Sequence, residues 1–81
     1  MKVNLQEVQQ LQAKLNAMLL KNESVLTYSD KEVMQQVNNI EHYSLSNANY
    51  DTSFQIGTLK QLVKDCSPKV AEHLKPFLAN L

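Results

Sequence analysis

Leu5, Val8, Leu11, Leu15 and Met18 recur at intervals of three, three, four and three residues near the start of this chain. Residues so spaced fall on one side of an α-helix, whose period is about 3.6. Gln, Asn, Lys and Glu fill the gaps, so the spacing predicts an amphipathic helix over residues 4–21. At about 1.5 Å per residue that helix is roughly 27 Å long. Leu19 and Leu20 are expected to widen the apolar seam at its end. The opposite face, with Gln6, Gln9, Gln10 and Asn16, is neutral and rich in side-chain amides.

With one glycine and two prolines in 81 residues, the rest of the chain also suits helices joined by polar loops. A connection over residues 22–28 leads to Ser29, Asp30, Lys31 and Glu32, which match a capping box. Ser29 would accept from the Glu32 amide while the Glu32 side chain reaches back. The helix so opened carries Val33, Val37, Ile40 and Ser44 on one stripe, with Met34 and Tyr43 alongside. Its end falls within residues 44–53, where Ser, Asn, Asp and Thr compete with the backbone for hydrogen bonds. A third helix is expected from residue 51 or 53 to 65, with Ile56, Leu59, Leu62, Val63 and Cys66 on its apolar side. Ser67 and Pro68 then supply a cap and a first helical position for a fourth. That helix carries Val70, Leu74, Phe77 or Leu78, and Leu81, and Pro76 is expected to kink it or split off a terminal turn.

The chain is long enough for one domain, residues 1–81, at the lower limit for folding without a staple. Apolar burial against chain entropy leaves roughly zero to a few kcal/mol at this length, so a partner would help. The single cysteine, Cys66, excludes an internal disulfide framework. Residues 1–7 turn polar at once, and no stretch approaches the ~20 apolar residues that span a bilayer. A cytoplasmic protein without membrane contact is therefore expected. The acceptor pattern Asn22-Glu23-Ser24 is a chance match in so Asn-rich a chain.

All eight basic residues are lysine, and they balance eight acidic residues. Arginine provides the planar fork that holds phosphates and carboxylates bidentately, and it is missing. Neither residues 1–50 nor residues 51–81 form a basic arm, so steering to nucleic acid has little to act on. Asn and Gln number eight each. Lys and Asn codons are AT-rich, so genome composition explains part of this bias, but not the four Gln between residues 6 and 12. Side-chain amides hydrogen-bond without the desolvation cost of a buried charge, which suits contact with another protein.

Catalytic chemistry finds little support. His42 follows Glu41 on a polar face, and no second His or Cys lies at ligand spacing from it. His73 sits beside Leu74 at the edge of an apolar stripe. Cys66 and His73 could be imagined as nucleophile and base, but Pro68 and a helix boundary separate them, and nothing is positioned to orient the histidine. One glycine cannot build a phosphate loop. No enzyme activity, catalytic residue, metal site or cofactor is expected.

Residues 59–74, LKQLVKDCSPKVAEHL, resemble the helix-turn-helix of winged-helix repressors. The order is a leucine-bearing helix, a short turn with serine, and a second helix with Val and His-Leu. The resemblance implies a DNA-reading surface of Lys69, Glu72, His73 and Lys75 within residues 59–75. The chain departs from that pattern in a shorter turn, the missing turn glycine, Pro76 in the second helix, and no hairpin wing. Two amphipathic helices around a polar loop also look like small rod or needle subunits of bacterial secretion systems.

The reading is an all-α, compact three- to four-helix bundle with a long N-terminal amphipathic helix. Its expected function is that of a small non-enzymatic protein-binding module, an adaptor, inhibitor or immunity-type protein. The partner is another protein or a second copy of the chain in a homodimer. The partner-binding residues expected are Gln6, Gln9, Gln10 and Asn16 on the first helix, with Tyr50 in the loop 47–50. Exposed tyrosine is enriched at interface hot spots, although Tyr50 could equally cover the edge of the core. The alternatives are a helix-turn-helix DNA-binding regulator and a subunit of a helical secretion-type assembly.

Overall fold

The computed structural model describes residues 3–22, 26–47, 49–79 and 81. Four α-helices follow one another: α1 (Leu5–Asn22), α2 (Tyr28–Ser46), α3 (Ser53–Val63) and α4 (Pro68–Ala79). Each packs against its neighbours in sequence, and α4 closes back on α1. The result is an all-α bundle of 37 × 21 × 19 Å. Residues 23–25, and with them most of the Asn22-Glu23-Ser24 pattern, lie outside the described residues, as does Ala48 in the loop 47–50.

The apolar seam does what its spacing requires. Val8, Leu11, Leu15 and Met18 of α1 are buried, together with Val33, Val37 and Ile40 of α2, Ile56 and Leu59 of α3, and Val70, Leu74 and Phe77 of α4. Leu62, Val63, Cys66 and Leu78 are half-buried against this core. Leu20 departs from expectation. Leu19 is half-buried, but Leu20 is 84% exposed. Nine residues after Leu11, it stands about 180° around the helix and cannot reach the core.

Helix α1 begins at Asn4, whose Oδ1 accepts from the amides of Gln6 at 2.9 Å and Glu7 at 3.3 Å. Helix α2 begins one residue before the expected cap. Its capping box is formed by Thr27 and Asp30, not Ser29 and Glu32. Thr27 is extended, with φ −86° and ψ 168°, and Tyr28 is already helical, so Ser29 lies inside the first turn. Thr27 Oγ1 accepts from the Asp30 amide at 3.1 Å, and Asp30 Oδ2 accepts from the Thr27 amide at 3.0 Å. Both four-residue frames satisfy the sequence pattern. Tertiary structure decides between them, because Asp30 has a second task on α4.

Helix α3 ends at Val63 in a tightened turn, where the amides of Lys64, Asp65 and Cys66 each reach back three residues. Ser67 precedes Pro68, the first residue of α4, as the sequence implies. Pro76 neither splits off a terminal turn nor ends the helix. Helix α4 runs through it to Ala79. Pro76 is exposed, so its ring meets solvent, and the carbonyl it leaves without a ladder partner is that of Glu72, an exposed residue in the middle of the helix.

Asp30 joins the two helix starts. It is fully buried, and its Oδ1 accepts from the Ser67 amide at 2.7 Å while Oδ2 holds Thr27. One carboxylate thus serves the N-terminal ends of both α2 and α4, where the helix dipoles favour negative charge. Burial pushes this carboxyl up, but hydrogen bonds from the amides and hydroxyls of Ser67 and Thr27 outweigh it and hold its pKa below the ordinary value.

Candidate functional site

The surfaces of α1 separate cleanly. Its core side is the seam just described. One flank meets α2, where Gln12 Nε2 donates to Asn38 Oδ1 at 2.7 Å and to Glu41 Oε1 at 3.1 Å. The other flank meets α4 across an open groove lined by Glu7, Gln10, Leu11, Lys14, His73, Pro76 and Phe77. That groove continues past Ala17, Met18 and Lys21. The fourth side, away from the core, is free of all three neighbouring helices.

That outer side carries Gln6, Gln9, Ala13, Asn16 and Leu20, all exposed. They follow one another at intervals of three, four, three and four, the spacing of a seam that a further helix can follow. Gln10 and Ala17 border the stripe on the α4 flank. No member of it is charged. The charges of α1 are Glu7, Lys14 and Lys21, seven residues apart on the flank that faces α4.

All four α1 residues expected to bind a partner are therefore exposed on the outer half of the helix, with Gln10 at the groove edge. Sequence reasoning missed Ala13 and Leu20. Counting half a turn from each seam residue would have found them, since Leu20 lies opposite Leu11.

Tyr50 lies elsewhere. Its ring stacks on Tyr43 with centroids 4.9 Å apart and planes 9° from parallel. Gln55 Nε2 donates to its hydroxyl at 3.4 Å, so α2 and α3 hold the side chain between them. Tyr50 remains 37% exposed. Leu45 and Phe54 are also exposed, near the ends of α2 and α3 that this connection joins. The structure thus divides the expected binding residues between two surfaces, α1 and the α2–α3 corner.

Cys66 Sγ donates to the Val63 carbonyl at 3.2 Å. Burial, then the charges of Asp30 and Asp65, push its thiol pKa up, which keeps it protonated. His42 packs edge-on to Tyr43 with centroids 6.0 Å apart. Lys69, Glu72 and Lys75 are exposed on α4, whereas His73 turns toward α1 and shares the groove with Lys14. Among the described residues, no group of three or more His, Cys, Asp or Glu side chains is placed to hold a metal ion. No helix among them is long and apolar enough to cross a membrane. Comparison with family models, with curated proteins and with solved structures found no match for this chain.

Proposed function

We propose that this protein is a non-enzymatic binding module that recognises another protein through the outer face of α1. The observation that carries the reading is the uncharged stripe of Gln6, Gln9, Ala13, Asn16 and Leu20, exposed along the whole helix. A helix needs only one buried face to belong to a bundle, and its solvent face is usually charged. Here the three charges of α1 stand to one side and leave the outer face neutral. Interface centres are depleted in charge, and Leu20, 84% exposed, supplies an apolar contact among the amides. Tyr50, Leu45 and Phe54, exposed near the ends of α2 and α3, offer further apolar contacts. The reading places the protein in the cytoplasm, where a lone cysteine stays reduced.

The test is capture of a partner by the immobilised protein from an extract of its source cells, with Ala13→Arg and Leu20→Ser as controls. Both positions are exposed, so both variants are expected to keep the native helical circular-dichroism signal and lose the captured protein. Capture that survives both substitutions would refute the assignment to α1.

A further inference from the structure

We propose that the groove between α1 and α4 seats an acidic amphipathic helix of a partner protein, whose carboxylates meet Lys14 and Lys21. The site is distinct from the outer face of α1, and Gln10 and Ala17 form the ridge between the two.

The floor of the groove is apolar, with Leu11 and Phe77 in one stretch and Met18 in the next, and Lys14 and His73 line both. The α1 wall from Glu7 to Lys21 is about 21 Å long, enough for four turns of a helix laid along it. Both lysines are exposed. The residues of α1 three or four positions before or between them are Gln10, Leu11, Ala17 and Met18, so α1 offers neither an acid at pairing distance. Glu7 stands about 10 Å along the axis from Lys14, too far to pair. Across the groove, the α4 side among the described residues is His73, Pro76 and Phe77, again without a carboxylate. The packing of α1 on α4 gains nothing from lysines set opposite a histidine. An anion laid between them gains from each, because His73 has a ring N–H to donate in either charge state.

Sign and spacing select the occupant. Lys14 and Lys21 are one heptad apart, so a helix with acidic residues at that interval meets both, and its apolar residues between them settle on Met18. Ala17, in the groove between the two lysines, leaves room for the incoming helix. Carboxylates suit the site better than phosphates, because the chain has no arginine with which to hold a phosphate in a fork. Glu7 repels a third acid at the far end and sets the acidic part of the occupant on the Lys14–Lys21 stretch.

Nuclear magnetic resonance titration of the full chain with a synthetic helix tests the proposal. The probe is an acetylated, amidated, alanine-rich peptide with two glutamates one heptad apart, leucines between them and glutamines on its far face. Its control carries glutamine in place of both glutamates. The expected result is saturable binding with a Kd of roughly 0.1–1 mM, with shifts centred on residues 7–21 and 73–77. The glutamine peptide should bind at least about fivefold more weakly. Lys14→Glu combined with Lys21→Glu should abolish binding of the glutamate peptide and transfer it to one with lysine at both positions, which damage to the fold would not produce. Ala13→Arg, on the outer face of α1, should leave the titration unchanged. No saturation by about 1 mM, equal binding of the glutamine peptide, shifts centred on the outer face, or charge reversal without transfer each overturns the proposal.

Discussion

Replacing Asp30 with alanine removes the acceptor of two backbone amides that open two different helices. Its Oδ1 takes the Ser67 amide at 2.7 Å and its Oδ2 the Thr27 amide at 3.0 Å. A hydrogen bond to a charged acceptor contributes about 1.5–3 kcal/mol. The full amount applies at Ser67, which is half-buried. Thr27 is exposed, so water can replace the carboxylate there, and a cap loss of about 0.5–1.5 kcal/mol is the better figure. The sum is about 3 kcal/mol. At about 0.05–0.15 kcal/mol per residue, a domain of 81 residues has roughly 4–12 kcal/mol in total. The variant should therefore melt about 12–24 °C lower, using about 4–8 °C per kcal/mol for a domain of this size. Asp30→Asn keeps one oxygen and turns an amide group toward the other donor, so it should fall between wild type and Asp30→Ala. The pH dependence is a second check. The folded pKa of Asp30 is lowered, so its contribution is fully present above the ordinary carboxylate value and fades as pH falls through the folded one. The stability gap between wild type and Asp30→Asn should thus be widest near neutral pH and narrow below about pH 4. Urea titrations at several pH values measure both quantities. A cost below about 1 kcal/mol for Asp30→Ala, or a gap constant down to pH 2, would refute the clamp as an energetic element.

Two further changes test single features. Gly57 lies inside α3 with nothing within 4 Å of the position a Cβ would take, and its φ is not positive. Gly57→Ala should raise stability by about 0.5–1 kcal/mol in denaturant titration, and a loss would mean that the site is more crowded than its surroundings indicate. The Cys66 thiol is half-buried, hydrogen-bonded and shifted up, so a thiol reagent at neutral pH should label the folded protein at least about tenfold more slowly than the urea-unfolded chain. Equal labelling rates would contradict that environment.

The sequence made the helices legible because period and punctuation agree. The α1 seam, the Ser67-Pro68 start of α4 and the stripe of Val33, Val37 and Ile40 each depend on residues within two or three turns of one another. What escaped depends on residues far apart. The Ser29–Glu32 and Thr27–Asp30 frames offer the same pairing of hydroxyl and carboxylate two residues apart, and Ser67, 37 residues after Asp30, favours the second. No local pattern could supply that. Leu20 was misread for a different reason. Two adjacent leucines at a helix end look alike in composition, but they stand 100° apart, and only the first faces inward. Pro76 likewise reads as a break by propensity, yet Val70, Leu74 and Phe77 are packed on both sides of it, and packing overrides propensity there. For the candidate site, the amide face of α1 was visible as a list of residues. Its continuity through Ala13 and Leu20 follows from counting half a turn from the seam, a step that assigning Leu20 to the seam obscures.

Genome composition offers a competing account of that face, and the placement of lysine bears on it. A low-GC genome favours Lys and Asn alike, so it explains the absence of arginine and the number of asparagines. It does not explain their sorting around one helix. Lysine at residues 6, 9, 13, 16 or 20 would keep the same codon bias and would suit a solvent-exposed helix at least as well as Asn, which has the lower helix propensity. The two lysines of α1 nevertheless fall at Lys14 and Lys21, both on the α4 flank, and neither falls on the stripe. The core gains nothing from this, because none of the stripe residues touches it. The binding reading proposed above accounts for it, because a partner covering this face would favour neutral side chains there. On that proposal the helix face farthest from the core, rather than the groove or the aromatic corner, is where substitutions should disturb binding while sparing the fold.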